Sequence, residues 1–417
     1  MVPFFKTSIL LTFTLCVYSC FSQTSNIYQW RGANRDGKYT ESNLLKSWKP
    51  EGPELLWFSD SVGNGYGSPT ITKDKVYING EIDSIAYLFA FDLKGNLLWK
   101  TNCSKEWVKT FPGSRSAPTV ADNLVYVCTG LGNMYCFDAI NGKKMWSLDM
   151  FKDFHGQYIY HGHSESPLVD GNKVFMVPGG KDTSVVAIDR FSGKILWAYK
   201  GNGERPAYNS PYIIKLPQRS ILVTFTAYTL LGIDANTGEL LWTHAQDNVP
   251  VAERTLGNGD THSNTVLYDN GFIYYSEGDG NCAVKLELLN DGKAIKQVWR
   301  NKAVDNYMGG FIKIDNYIYS CTNSRRNLVS MDASTGMVTD SLKCGIGTII
   351  MADNMLYYYN QTGKVFLIKP DLSKMEIISS FKINKGTKEH FAHQVISDGK
   401  MYIRHGKSLL VYNIKSE

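Results

Sequence analysis

Gly232-Ile233-Asp234-Ala235-Asn236-Thr237-Gly238-Glu239-Leu240-Leu241-Trp242 is the stretch on which the fold reading turns. An Asp side chain accepts hydrogen bonds from the backbone just ahead of it, and Gly takes positive φ without cost, so Asp234 and Gly238 mark a tight turn between two short strands. The same grammar recurs as Ala90-Phe91-Asp92-Leu93-Lys94-Gly95 up to Trp99, Cys136-Phe137-Asp138-Ala139-Ile140-Asn141-Gly142 up to Trp146, and Ala187-Ile188-Asp189-Arg190-Phe191-Ser192-Gly193 up to Trp197. Worn copies follow at Lys285-Leu286-Glu287 up to Trp299, Ser330-Met331-Asp332, Ile368-Lys369-Pro370-Asp371 and Val411-Tyr412-Asn413.

Each copy has an upstream half, opened in the clearest cases by Ser68-Pro69, Ala117-Pro118, Ser166-Pro167 and Ser210-Pro211. Asn264-Thr265, Gly309-Gly310, Gly347-Thr348 and His393-Gln394 hold the equivalent place in the other four. Pro69, Pro118 and Pro167 are 49 residues apart, a period in the range of propeller repeats. Each repeat offers four short strands, and no window shows competing helical periodicity. A lone four-stranded sheet leaves both faces exposed, so the sheets pack radially. The reading is an all-β, eight-bladed propeller of four-stranded antiparallel blades. The last copy supplies three strands, and Leu55-Leu56-Trp57-Phe58 is an orphan fourth, which predicts that an N-terminal strand completes the C-terminal blade. The propeller then occupies residues 55–417, with residues 23–54 an irregular segment covering one face or rim. Trp57, Trp99, Trp146, Trp197, Trp242 and Trp299 are read as interblade packing residues.

Composition agrees with a large folded core: 43% of the 417 residues are hydrophobic and 13% aromatic. The 44 Lys and Arg exceed the 39 Asp and Glu by only five, with no basic run, which sets nucleic-acid binding aside. Residues 1–22 carry a single charge, Lys6, before an apolar run, and read as a secretory signal. Val17-Tyr18-Ser19-Cys20 resembles a loose lipobox that would leave Cys20 lipidated, whereas Phe21-Ser22-Gln23 suits ordinary cleavage before Gln23. The expected product is exported, periplasmic or outer-membrane-associated, monomeric, and without a transmembrane span. Cys103, Cys128, Cys136, Cys282, Cys321 and Cys344 never form C-x-x-C, which excludes zinc-ribbon, thioredoxin and c-type haem motifs. Cys128 and Cys136 flank a turn, where either a cross-hairpin disulfide or buried free thiols would fit.

The A-Φ-D-x-x-T-G-x-Φ-Φ-W element resembles the repeat of the pyrroloquinoline-quinone (PQQ) type propellers, which include quinoprotein alcohol dehydrogenases and the outer-membrane assembly lipoprotein BamB. The resemblance covers most of the chain at repeat level and implies the fold; its motif is made of packing and turn residues, so it fixes no activity. Quinoprotein dehydrogenases would imply PQQ under two adjacent cysteines and beside Ca²⁺ held by Glu, Asn and Asp. This chain has no Cys-Cys pair.

In a propeller, loops entering the innermost strands converge at one mouth of the channel. Aligning the eight strand entries brings Tyr66, Arg115, Tyr208, His262 and Tyr307 into one register position and Asn264 and His393 into another, with His163, Glu165, Arg205, Asn209 and His390 alongside. These twelve residues form the expected binding mouth. Tyr faces and Arg, His and Glu side chains suit a small polar molecule or glycan, or a segment of a protein partner in the cell envelope. His161, His163 and Glu165 alternate on an extended chain and are also a candidate metal set. The functional expectation is a ligand-binding or protein-interaction scaffold acting through this mouth. The alternative is an enzyme using the same mouth, a carbohydrate hydrolase or lyase or a PQQ-dependent alcohol or sugar dehydrogenase. No cofactor is required by any motif.

Overall fold

The computed structural model describes residues 26–371 and 374–416. Its strands form eight separate sheets, seven with four strands from one repeat and the last with three, as the sequence periodicity predicts. Within a blade the strands are consecutive and antiparallel, for example Tyr212–Lys215, Ser220–Phe225, Thr229–Asp234 and Leu240–Ala245 in blade four. The two middle strands are largely buried, whereas the outermost alternates towards solvent. Among the described residues a single α-helical turn, Met150–Phe154, interrupts the β pattern; Asp149 caps it by accepting from Phe151 N at 2.9 Å and Lys152 N at 3.1 Å.

The repeated turn works as its residues require. Asp234 Oδ1 accepts from Asn236 N at 2.9 Å and Thr237 N at 3.2 Å, and Asp332 does the same for Ser334 and Thr335 at 2.8 Å. The turn glycine has a second duty. Gly142, at φ +73°, lies under the Trp99 ring of the preceding blade, where an added Cβ would come within 2.6 Å of ring carbon. Gly95 under Trp57, Gly193 under Trp146, Gly238 under Trp197 and Gly336 under Trp299 repeat the contact. The indole N–H then donates to a carbonyl on the neighbour: Trp57 to Leu93 O, Trp146 to Arg190 O, Trp197 to Ala235 O and Trp299 to Ala333 O, all at 3.0–3.1 Å. Trp99 departs from this, its Nε1 buried without a partner, while Tyr77 Oη of the same blade donates to Ala139 O at 2.8 Å.

Leu55–Ser59 pairs antiparallel with Ser408–Asn413, so the predicted N-terminal strand does complete the C-terminal blade. The chain before it enters the channel. Ile27–Tyr28 adds antiparallel to the innermost strand of blade two, Thr119–Ala121, and Lys38–Tyr39 adds parallel to that of blade seven, Gly347–Ala352. Between them Arg31 and Arg35, each 2% exposed, reach opposite walls. Arg31 donates to Ile349 O at 3.1 Å and Phe311 O at 2.8 Å, in blades seven and six. Arg35 donates to Ser166 O at 3.1 Å, Pro211 O at 3.3 Å and Pro167 O, at the entries of blades three and four. Residues 29–37 are therefore a plug that turns the channel into a cup.

Cys103, Cys128, Cys136, Cys282, Cys321 and Cys344 are all buried free thiols. Cys128 stands opposite Met134 and Cys136 opposite Tyr126, so the hairpin register itself keeps the two sulfurs from meeting. The leader predicted over residues 1–22, with Cys20, lies outside the described residues. No helix among the described residues is long and apolar enough to cross a membrane.

Candidate functional site

Above the plug the converging strand entries enclose a cavity of about 640 Å³, well inside the range of roughly 300–1,000 Å³ usual for small-ligand sites. Trp30 belongs to its floor, since it lines both this cavity and the small space below it that holds Arg31, Arg35 and Asp36. His393 meets the Trp30 ring edge-on at 5.3 Å and its Nε2 faces Gly309 O at 3.3 Å. Burial, and then the charge of Arg31, holds the His393 imidazole neutral well below its ordinary range.

Tyr66, Arg115, Tyr208, Tyr307 and His393 line the cavity, as their register predicts, and His161 joins them. Tyr66 Oη donates to Glu389 Oε2 at 2.9 Å, which occupies that carboxylate. Arg115 lies over the Tyr66 ring at 5.9 Å and donates to the carbonyls of Gly113, Thr110 and Phe111 at 2.9, 2.5 and 2.7 Å, so it shapes its own loop as well as the wall. Beneath that loop Glu106 is buried and its pKa is raised by desolvation, although it accepts from Ser114 Oγ, Trp107 N and Gly130 N at 2.6, 2.8 and 2.5 Å. Tyr208 Oη accepts from His161 N at 2.8 Å. Burial and the nearby Arg115 charge lower the His161 pKa, and its Nδ1 sits 3.2 Å from Thr110 Oγ1.

The other candidates point elsewhere because alternate residues of an extended chain face opposite ways. In blade three Ser164 and Ser166 line the cavity, while His163 and Glu165 turn back into the blade. Burial lowers the His163 pKa to about 4 and raises that of Glu165 to about 8. Asn209, between cavity-lining Tyr208 and Ser210, bonds to Thr224 Oγ1 at 3.3 Å. In blade five Thr261 and Ser263 form the wall; His262 stacks on Phe225 at 4.5 Å and contacts Gln246 Nε2 at 2.6 Å, and Asn264 donates to Asn306 O at 3.0 Å. Arg205 pairs with Asp260 at 2.8 Å on the rim, and His390 stacks on His405 at 3.6 Å beside the cavity. His161, His163 and Glu165 do not converge as a metal-holding group, and no such group of three occurs among the described residues. The turn at Gly162, φ +80°, removes the strict alternation on which that set depended.

Several wall residues lie outside the register argument. Trp30 comes from the plug, Phe111 from the loop before blade two, and Asn323 and Gln361 from loops after second strands. In blade five, which lacks the opening proline, the wall positions are one residue away from those inferred. A one-residue slip inverts every side chain of an extended segment.

The family model described as outer membrane protein assembly factor BamB matches residues 84–340. The outer membrane protein assembly factor BamB of Shewanella oneidensis is 24% identical over 311 residues, 72% of this chain and 70% of that protein. A 1-butanol dehydrogenase (quinone) of Thauera butanivorans is 25% identical over 192 residues, 43% of this chain but 30% of that protein. Among solved structures, BamB from Moraxella catarrhalis superposes with a TM-score of 0.62 at 12% identity, covering 87% of this chain and 99% of that one. The quinohemoprotein alcohol dehydrogenase of Comamonas testosteroni gives 0.66 at 11% identity, covering 92% and 79%. At these identities the superpositions speak to the fold alone. The dehydrogenase resemblance implies PQQ with Ca²⁺, and the donor set does not fit it: the cavity wall carries hydroxyls, amides, imidazoles and one guanidinium, with no carboxylate and no cysteine. The repeat grammar, the eight-bladed ring and the match across most of its blades agree, and the chain belongs to the outer membrane protein assembly factor BamB family.

Proposed function

We propose that the protein is an envelope scaffold that binds protein partners across the mouth face of its propeller, in the outer-membrane assembly role that the BamB name describes. The carrying observation is a cluster of exposed apolar side chains on neighbouring mouth loops. Phe111 is 41% exposed, Tyr158 52%, Tyr160 50% and Leu256 47%. Phe111, Tyr160 and the Leu256 loop are contiguous, since His161 meets Phe111 at 5.4 Å and Tyr160 at 4.8 Å and Gly257 packs on the Tyr160 ring, while Tyr158 stacks on Phe151 at 3.9 Å. Contiguous apolar surface of this kind on a soluble domain marks an interaction site. The occupant suited to it is an apolar segment of a barrel-assembly component. Export through the 1–22 leader, with either a lipidated Cys20 or a free Gln23 terminus, would place the propeller in the right compartment.

Affinity capture from solubilised envelopes tests this. The native chain is expected to retain outer-membrane barrel-assembly proteins, and a Tyr160→Asp/Leu256→Asp variant with an unchanged melting temperature to lose at least about tenfold of them. Equal recovery by both proteins, or recovery of no such proteins by the native chain, would refute the reading.

A further inference from the structure

The cavity floor holds an arrangement that partner binding at the mouth does not use. Ser166 and Ser210 stand side by side on the wall: Ser166 N donates to Ser210 Oγ at 2.9 Å, and Ala117 N donates to Ser166 Oγ at 2.9 Å. Each hydroxyl oxygen is thus occupied as an acceptor by backbone from the preceding blade. Neither O–H has a protein acceptor among the described residues, and both belong to the cavity lining. Tyr208 Oη is in the same state, accepting from His161 N at 2.8 Å with its own proton uncommitted.

Directly behind this pair lies the Arg35 guanidinium, which holds the carbonyls of Ser166, Pro167 and Pro211 and the Gln29 Oε1, all neutral acceptors. Its burial is complete enough to lower its pKa to about 9, still cationic at neutral pH. Among the described residues no carboxylate pairs with it at salt-bridge distance; Glu165, the carboxyl that acts on it, is itself buried, which raises its pKa. A buried cation without an ion pair is costly, and an anion held in the cavity just above it would offset part of that cost. The remaining wall sets Trp30, Tyr307, Thr261 and Ser263 beside the Arg115 guanidinium and the His161 and His393 imidazoles. Such a wall suits a ring with an apolar face and polar edges.

We propose that the cup binds a sugar acid, a hexuronate whose carboxylate is cradled by the Ser166 and Ser210 hydroxyls in front of Arg35 and whose ring lies against Trp30 and Tyr307. The cradle uses donors only, which separates an acid from its ester: the ester keeps the ring and the hydroxyls but presents no charge to Arg35.

Titration calorimetry on the full chain at pH 7 tests this with galacturonate and glucuronate, their methyl esters, the parent hexoses and an acetylated dipeptide with a free C-terminal carboxylate. At least one acid is expected to bind tenfold or more tighter than its ester and its hexose, and a Ser166→Ala/Ser210→Ala variant to lose that margin while still folded, at a melting temperature lowered by the two backbone N–H groups left without an acceptor. Equal affinity for acid and ester would overturn the cradle, and the native protein alone decides this should the variant fold poorly. A dipeptide that outbinds both sugar acids would overturn the sugar assignment, and so would the absence of binding by either acid at millimolar concentration. Envelope capture by the mouth loops does not depend on this outcome, so the two readings fail separately.

Discussion

Around its outside the propeller joins blade to blade with one contact used over and over, an indole laid on the next blade's turn glycine; inside the channel each buried arginine ties its blades in its own way. Arg31 ties blades six and seven, Arg35 ties blades three and four, and Arg404 gathers the carbonyls of Gly63, Gly67 and Asn79 beside blade one. The girdle distributes cohesion over many near-equal apolar clamps. The interior concentrates it in a few buried cations, each satisfied by backbone oxygens that would otherwise face a dry channel. Repetition suffices to make a ring, whereas a cup with a floor needs side chains that occur once.

This contrast can be broken most sharply at Arg35. Arg35→Ala leaves several buried carbonyls and a cavity behind, and is expected to cost about 3–5 kcal/mol, read as a large fall in denaturant midpoint. A loss under about 1 kcal/mol would mean that the plug is held by its strands instead. At the girdle the effect should be smaller and depend on what lies over the glycine. Gly142→Ala combines an unfavourable positive φ with collision against Trp99, for about 2–3 kcal/mol. Gly171→Ala, at φ +59° with open space around its Cβ, should cost only about 1 kcal/mol. Parity between the two in thermal melts would show that the indole yields freely. Smallest of all, Trp57→Phe should cost about 1 kcal/mol more than Trp99→Phe, because only Trp57 loses an indole hydrogen bond. Equal losses would assign the clamp to packing alone.

The same contrast explains what could be read in advance. Asp234, Gly238 and Trp242 announce their blade because turn and packing chemistry force those residue types at that spacing, and the partnerless Leu55–Ser59 strand announces the closure by counting. The cavity was legible where the aligned entry held its register, so Tyr66 and Tyr208 ahead of prolines, and Tyr307 and His393 without one, fall on the wall as expected. In blade five the entry is displaced by one residue, and His262 and Asn264 exchange places with Thr261 and Ser263. His163 and Glu165 fail for the related reason that neighbours in an extended segment face apart. The plug was the least legible part. Trp30, Arg31 and Arg35 look like an ordinary polar stretch, and only the carbonyls of distant inner strands give those guanidiniums a buried destination. Two arginines four positions apart next to a tryptophan, ahead of a repeat array, are the signal that was available.

The pairing of Leu55–Ser59 with Ser408–Asn413 also sets a timetable. The first of these strands leaves the ribosome about 350 residues before its partner (408 minus 59 is 349), while in the plug Arg35 waits 131–176 residues and Arg31 280–318 for the carbonyls that receive them. For all that interval the hydrophobic strand has no destination, and every blade already made has an open ring beside it. Contacts so distant along the chain form slowly and leave edges available for misassembly. Removing the last strand should therefore harm the yield of folded protein well beyond the loss of one hairpin, because the beginning of the chain would lose its place along with the end.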